Sequence, residues 1–273
     1  MNTAITPPVI DAHAHIFQRS LAMANDKRYT PDRDAVVSEY LNELDKNCFT
    51  HGVLVQPSFL GFNNDYLLAA LNAHPDRLRG VAVVDPAIGP NELAALSAQG
   101  VTGIRLNLFG RGMPNFQKAP WPAFQEKLQK LGLHVEIHCE SHHLEKVLPS
   151  FLNAGNRLVV DHFGRPDAAL GTGDPGFQYL LEAGATGQVW VKLTAAYRLG
   201  KEPEAPFAGP DVIAGLINSI SLERLVWGSD WPHTQFTNRM DFKSALQLFE
   251  NLVPDVKTKQ QILSGSAKVL FNI

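Results

Sequence analysis

The chain has 273 residues, of which 45% are hydrophobic and 19% are charged. These proportions are typical of a globular protein and exclude a disordered or fibrous chain. The formal net charge of −3 and the pI near 6.4 give no electrostatic reason to expect nucleic acid or an anionic membrane as a partner.

The N-terminal residues and the cysteines indicate where the protein resides. Residues 1–8 lack the charged segment and apolar run of a secretory leader. No stretch of the chain approaches the 18 apolar residues of a membrane-spanning helix. Cys48 and Cys139 do not form a Cys-x-x-Cys pair. A reducing compartment is the simplest interpretation, so we expect a cytoplasmic protein that is not bound to a membrane.

Short apolar runs alternate with longer amphipathic stretches along the chain. The short runs predict strands at residues 9–16, 52–56, 80–84, 103–108, 133–138, 158–161, 189–193 and 225–228. The stretches between them have apolar residues at three- and four-residue spacing, which predicts helices at residues 34–47, 64–74, 91–98, 121–131, 144–152, 176–183, 211–220 and 242–252. Eight such pairs predict a (β/α)8 TIM barrel, with residues 1–273 as a single domain.

The alternative architecture is a doubly wound open sheet. Such a sheet usually carries a Gly-x-Gly-x-x-Gly turn after its first strand when it binds a nucleotide, and this chain has none there. The longest irregular stretches are residues 17–33, 109–120, 163–176 and 195–210. All four follow a predicted strand, so in a barrel they would meet at the C-terminal rim, where the active sites of this fold lie.

The first and last predicted strands carry the groups of a hydrolytic centre. His13 and His15 are two positions apart in a strand and therefore project to the same face. Asp230 follows the last strand. Two imidazoles and a carboxylate can activate water or hold a metal ion. The alternative is that the histidines are core residues and Asp230 is a capping residue, which so short a motif does not exclude by itself.

Other polar side chains also fall at the predicted strand ends. They include His138 at strand 5, His162 after strand 6 and His233 after strand 8. Four arginines lie at a strand end or in the following loop, and guanidinium groups suit the bidentate recognition of carboxylate or phosphate. These arginines are Arg105, Arg111, Arg165 and Arg198.

Five motifs in this order resemble the amidohydrolase superfamily, in its amidohydrolase-2 branch. They are Asp11–Phe17, Gly103–Asn107, Asp161–Pro166, Trp190–Leu193 and Trp227–His233. Within that branch the chain is most similar to the lactonases of the 2-pyrone-4,6-dicarboxylate type, and the similarity spans nearly the whole sequence. The fold that the resemblance implies is the same barrel.

The resemblance also implies roles for individual residues. His13, His15 and His162 would surround the scissile ester carbonyl, and Asp230 would activate water as the general base. The substrate-binding residues that it implies are Arg105, Arg111, Arg165, Arg198, His233 and, as a weaker candidate, Tyr29. Three alternatives remain open. Arg105 could pair with Asp161 or Glu136, Arg198 could be a solvated loop residue, and His162 could be capped by Asp161.

The sequence leaves two interpretations of the metal open. His13, His15, His138 and Asp230 would form a ligand set for one divalent, zinc-like ion. The lactonase resemblance instead implies hydrolysis without metal, with histidines and arginines stabilising the oxyanion. The chain departs from the lactonase pattern at His138, where an aromatic hydroxyl is expected, and at His233, where an amide is expected. Both departures add an imidazole. No lysine ends the fourth strand, so a dinuclear site with a carbamylated lysine is not expected.

The leading hypothesis is a hydrolase that opens a small anionic lactone, such as 2-pyrone-4,6-dicarboxylate, in aromatic-acid catabolism. The first alternative is a metal-dependent decarboxylase of the amidohydrolase-2 type. The second is a non-catalytic barrel that binds a small anion.

Overall fold

A computed structural model describes residues 7–199 and 210–273 of the chain. Residues 1–6 of the polar N-terminal stretch lie outside this description. So do residues 200–209, which make up most of the last predicted irregular stretch.

Eight parallel strands form one sheet in sequence order, β1 to β8. The strands are Ile10–Ala14 (β1), His51–Val55 (β2), Leu78–Ala82 (β3), Val101–Asn107 (β4), His134–His138 (β5), Leu158–Val160 (β6), Val189–Thr194 (β7) and Leu225–Gly228 (β8). Each predicted strand has a counterpart, although β3 begins and ends two residues earlier than expected and β1 ends at Ala14, so that His15 lies just outside the strand. The segment after β8 joins β1, since the Asp230 amide donates to the His13 carbonyl at 2.8 Å and the His15 amide donates to the Trp231 carbonyl at 2.7 Å.

A helix follows each strand on the outside of the barrel. The helices are Val37–Lys46 (α1), Asp65–Ala73 (α2), Pro90–Ala98 (α3), Trp121–Leu131 (α4), Leu144–Asn153 (α5), Pro175–Ala183 (α6), Pro210–Ile220 (α7) and Phe242–Leu252 (α8). This arrangement confirms the predicted (β/α)8 barrel. Among the residues described, no helix has the length and apolar character needed to cross a bilayer.

Three helical segments after α8 were not predicted. They are Val256–Gln260 (α9), a π-helical stretch at Gln261–Ser266 and Ala267–Phe271 (α10). In α10, Leu270 and Phe271 belong to one buried apolar cluster with Ile10 and Val53 of the strands. The chain end therefore closes the floor of the barrel with apolar side chains, opposite the rim where the strands end.

Asp11 connects the two ends of the sheet. Its fully buried carboxylate accepts hydrogen bonds from the Ser229 amide at 2.8 Å and from the Ser229 hydroxyl at 2.6 Å. It also accepts one from the Tyr40 hydroxyl at 3.0 Å. Burial raises the pKa of Asp11 to about 6, although these hydrogen bonds oppose the shift.

We expect Asp11→Ala to lower the free energy of unfolding by about 3 kcal/mol, because it leaves buried donors of Ser229 and Tyr40 without an acceptor. Urea denaturation followed by circular dichroism measures the change. Asp32→Ala removes an exposed carboxylate and should change stability by less than about 0.5 kcal/mol. Equal effects of the two substitutions would contradict a role for Asp11 in closing the barrel.

Candidate active site

A β-bulge brings His13 to the barrel interior. The pairing of β1 with β2 runs from Asp11 opposite Gly52 to Ala14 opposite Leu54, so β1 has one residue more than its partner. Such bulges interrupt the alternation of side chains and often re-aim a residue beside an active site. His13 is fully buried as a result and lies at the centre of the polar groups described below.

The structure brings His13, His15 and Asp230 together. His13 Nε2 lies 3.3 Å from His15 Nε2. Asp230 Oδ1 lies 3.8 Å from His13 Nε2 and 3.6 Å from His15 Nε2. All three side chains are buried. His15 Nδ1 contacts the Val55 carbonyl at 2.7 Å, which fixes the orientation of the ring.

The second carboxylate oxygen of Asp230 has its own partners. Oδ2 accepts hydrogen bonds from Arg198 Nε at 2.6 Å and from the Tyr197 hydroxyl at 2.8 Å. Burial by itself would raise the pKa of Asp230, but the Arg198 guanidinium holds it well below its usual range. Asp230 is therefore ionised at neutral pH, with Oδ1 directed to the histidines. Arg198 is a partly buried partner of this carboxylate rather than a solvated loop residue.

His162 and His138 are neutral imidazoles at the ends of β6 and β5. Burial lowers the pKa of His162 to about 3, and its Nδ1 lies 2.7 Å from the Thr194 hydroxyl. Its ring is thus held by Thr194 rather than by Asp161. Burial and the charge of Arg105 lower the pKa of His138 well below its usual range. Neither ring nitrogen of His138 has a hydrogen-bond partner within the described residues, so this side chain can still bind a ligand.

These groups border a cavity of about 200 Å³ at the C-terminal rim of the barrel. Eight of the predicted site residues line it: His15, Tyr29, Arg105, His138, His162, Arg165, Arg198 and Asp230. His13 lies beneath the cavity. His233 lies behind its wall, with Nδ1 3.1 Å from the Tyr197 hydroxyl. Arg111 borders a neighbouring groove, where its Nη1 contacts Asp26 at 2.5 Å.

The arginines of the cavity divide into two classes. Arg105 is paired inside the barrel, with Nη2 2.7 Å from Asp161 Oδ2 and Nε 3.3 Å from Glu136 Oε1. Arg28 and Arg165 have no ion pair with any residue in the ranges 7–199 and 210–273. The sequence left open whether Arg105 pairs with Asp161 or Glu136, and the structure contains both contacts. Arg105 therefore lines the cavity with its charge neutralised by protein carboxylates.

Arg28 and Arg165 share the ring of Phe109, which lies 5.0 Å and 4.1 Å from their guanidinium carbons. Burial, followed by the charges of Arg198 and Arg28, lowers the pKa of Arg165 to about 10. Burial also lowers the pKa of Arg28. Each group is still cationic at neutral pH, so this part of the cavity has an excess of positive charge that favours an anionic ligand. Sequence analysis missed Arg28, and its position next to Tyr29 in the first rim loop was the available signal.

Sequence analysis did not assign the buried Lys192 beneath the cavity to the site. Lys192 is fully buried, and its Nζ lies 2.5 Å from Glu136 Oε2, 3.1 Å from His13 Nδ1 and 3.9 Å from Asp161 Oδ1. Arg105 contacts the same two carboxylates. Two cations and two carboxylates thus form one network in contact with His13.

Three of the four predicted metal ligands could hold a divalent ion. Ligand atoms of His13, His15 and Asp230 all lie within 4.8 Å of one another. Two nitrogens bound at about 2.0–2.1 Å to one tetrahedral zinc ion are about 3.3–3.4 Å apart, which matches the separation of the His13 and His15 nitrogens. His138 is not part of this group. A second group that meets the same distance limit contains His13, Asp161 and His162.

Known proteins are similar to this chain along nearly its whole length. A solved structure from Pseudomonas putida, assigned as a 2-pyrone-4,6-dicarboxylic acid hydrolase, is 42% identical, with a TM-score of 0.92 and 98% of each chain covered. A second, from Acinetobacter baumannii, has the same assignment and contains citric acid; it is 38% identical, with a TM-score of 0.92, and covers 97% of this chain and 99% of its own. The 4-sulfomuconolactone hydrolase of Rhizobium radiobacter is 28% identical over 276 residues, which covers 99% of this chain and 92% of the relative.

The family assignment rests on nearly the whole chain. The amidohydrolase family model matches residues 10–273, from the first residue of β1 to the C-terminal isoleucine. That range includes the bulged strand with His13, the buried network and the Asp230 segment. The chain belongs to the amidohydrolase family.

Proposed function

We propose that this protein is a lactone hydrolase that opens a small carboxylated lactone such as 2-pyrone-4,6-dicarboxylate. The observation that carries the proposal is that Arg28 and Arg165, without ion pairs in the described part of the chain, line the same cavity as Asp230. The names of the relatives support this substrate class. The citric acid in the Acinetobacter baumannii structure supports a site that accepts several carboxylates.

The substrate is bound first through attraction between its carboxylate groups and the arginines of the cavity. A carboxylate that contacts Arg165 or Arg28 gains charge-assisted hydrogen bonds and relieves the repulsion between the two guanidinium groups. Arg111 lies in a groove that shares Arg105 and Ser58 with the cavity, so it is a further candidate for a carboxylate of the substrate. The cavity then places the lactone carbonyl on the side of Asp230 and the histidines.

Asp230 is the proposed general base. Its Oδ1 takes a proton from a water molecule while the water oxygen attacks the lactone carbonyl carbon. Arg198 and Tyr197 hold Oδ2 and thereby direct Oδ1. Neutral His162 can donate one hydrogen bond to the oxyanion, as an uncharged donor in a buried site. The ring C–O bond then breaks, and the proton on Asp230 passes to the leaving oxygen.

A divalent ion held by His13, His15 and Asp230 would polarise the carbonyl and make the water more acidic. The proton transfers described above use only side chains of the protein. The decarboxylase alternative has less support, because the relatives described above are named as lactone hydrolases. Binding without catalysis would not require an ionised Asp230 directed into the cavity.

We also propose a cytoplasmic location. Cys48 and Cys139 are free thiols, which supports a reducing compartment. The net charge of −3 supports the expectation that nucleic acid and anionic membranes are not partners.

Ring opening of 2-pyrone-4,6-dicarboxylate, followed by ultraviolet absorbance, tests the proposed function. We expect kcat/KM at least about 100-fold higher than for unsubstituted 2-pyrone, because hydrogen bonds to charged groups contribute about 1.5–3 kcal/mol each. A parallel assay measures carbon dioxide release from dihydroxybenzoates, with and without chelator. Decarboxylation without any lactone opening would overturn the proposal.

A further inference from the structure

A chain of three buried hydrogen bonds runs through the two histidines of the site. Lys192 Nζ is 3.1 Å from His13 Nδ1, and His13 Nε2 is 3.3 Å from His15 Nε2. His15 Nδ1 is 2.7 Å from the Val55 carbonyl oxygen. Each contact is within hydrogen-bonding distance. The position of the proton in one of these hydrogen bonds therefore determines its position in the next.

The two ends of the chain fix the direction of every bond in it. A carbonyl oxygen only accepts, so His15 Nδ1 carries a proton, and His15 Nε2 is the nitrogen that faces His13. An ammonium group only donates, so His13 Nδ1 accepts from Lys192 and His13 Nε2 carries the proton. The middle contact then has one donor and one acceptor, as a hydrogen bond requires.

Lys192 Nζ is a hydrogen-bond donor in this chain of contacts. It donates to Glu136 Oε2 and lies in one buried network with Asp161 and Arg105. The Lys192–Glu136 contact is an ion pair, and the ammonium group of an ion pair has no lone pair with which to accept from His13 Nδ1.

We propose that Lys192 is a positioning residue that holds His13 in the tautomer with its proton on Nε2. His13 Nε2–H then donates to His15 Nε2, so neither ring nitrogen is left to donate to Asp230 Oδ1. A water molecule beside Asp230 Oδ1 can therefore donate to this carboxylate oxygen. This arrangement leaves a lone pair on the water oxygen for attack on a carbonyl.

The same contact opposes metal binding at His13. A metal ion needs a bare Nε2, so the His13 proton would have to move to Nδ1 and find an acceptor there. Asp161 Oδ1 at 3.5 Å and Glu136 Oε1 at 3.8 Å are the carboxylate oxygens that face Nδ1 in the described residues. Lys192 lies closer to Nδ1 than either oxygen and must turn away before that tautomer forms. Lys192 therefore decides whether the site holds water or metal.

The first test is the tautomer itself. Two-bond ¹H–¹⁵N correlation spectra of histidine-labelled protein distinguish a bare ring nitrogen from a protonated one, and His13→Gln identifies the signals of His13. We expect a bare Nδ1 and a protonated Nε2 in the unsubstituted protein without added metal. Protonation at Nδ1 would overturn the proposal.

The second test is the affinity for zinc, measured by competition with a chromophoric chelator and without any lactone. We expect Lys192→Met to tighten zinc binding about tenfold or more, because residues that contact a metal-binding histidine change metal affinity by 10–100-fold. Lys118→Met, at an exposed position, is the control and should leave the affinity unchanged. If Lys192→Met does not fold, Lys192→Met with Glu136→Gln keeps the buried charges balanced and should show the same increase. Unchanged or weaker zinc binding in the folded variant would contradict the proposal.

Discussion

Asp230→Asn should lower kcat for lactone opening by about a thousandfold while ligand binding persists. General base catalysis contributes about 10²–10⁴-fold, and an amide in place of Oδ1 cannot take the proton from water. Arg28 and Arg165 do not contact Oδ1, so the affinity for a carboxylated ligand should change little. Initial rates of ring opening measure kcat, and calorimetric titration with citrate measures binding.

Asp32→Asn is the matched control, because it makes the same change at an exposed carboxylate that does not line the cavity. Its kcat should stay within about twofold of the unsubstituted protein. The pH profile gives a second check. A base is active above its pKa, and the pKa of Asp230 is held well below the usual range, so kcat/KM should show no acid limb above about pH 5. An acid limb near neutral pH, or near-normal turnover by Asp230→Asn, would contradict the assignment of Asp230 as the general base.

Arg165→Met should raise KM for a dicarboxylated lactone by about 100-fold. The substitution removes a guanidinium that has no ion pair in the described part of the chain, so its charge is available to the substrate and its loss leaves no protein carboxylate unpaired. The expected magnitude corresponds to about 2–3 kcal/mol for one charge-assisted contact. Steady-state kinetics with carboxylated and unsubstituted lactones measure the change, which should be small for the unsubstituted ring.

Arg77→Met is the control for Arg165→Met, since Arg77 pairs with Asp45 away from the rim cavity and should not alter KM. Arg105→Met should behave differently from both. It leaves Asp161 and Glu136 without one of their cations, so we expect a loss of stability as well as of activity. Equal KM values for Arg165→Met and the unsubstituted protein would contradict the proposed carboxylate site.

The barrel and the meeting of its two ends could be predicted because both follow from local rules. His13 lies near the C-terminal end of β1 and His15 follows that end directly, and parallel strands in a barrel place their C-terminal ends on one rim. Asp230 lies two residues after β8, so the predicted end of that strand was enough to place Asp230 at the rim. The bulge in β1 was not predictable from the residues, yet it is what turns His13 inward.

The sequence could not predict which cavity arginines pair with protein carboxylates and which have no ion pair in the described residues. Arg105 lies near the end of β4 and Arg165 lies in the loop after β6, and nothing local distinguishes a guanidinium that is neutralised inside the barrel from one that faces a ligand. The partner of Arg105, Asp161, is 56 positions away, and the contact exists only when β4 and β6 are both in place. Helix α10 was missed for a similar reason, since Leu270 and Phe271 are stabilised by the barrel floor that they cover.

The contact between β1 and the segment after β8 joins the two ends of the sequence, which has a consequence for biosynthesis. Asp11 and Ser229 are 218 positions apart, and the groups proposed for catalysis lie on the two sides of their contact. A ribosome must therefore complete almost the whole chain before the base and the histidines can meet. Nascent or truncated chains would be inert towards lactones even with most of the sheet formed, and contacts so distant in sequence form slowly. Recovery of turnover after dilution from denaturant would thus report closure of the barrel, whereas circular dichroism would report its helices.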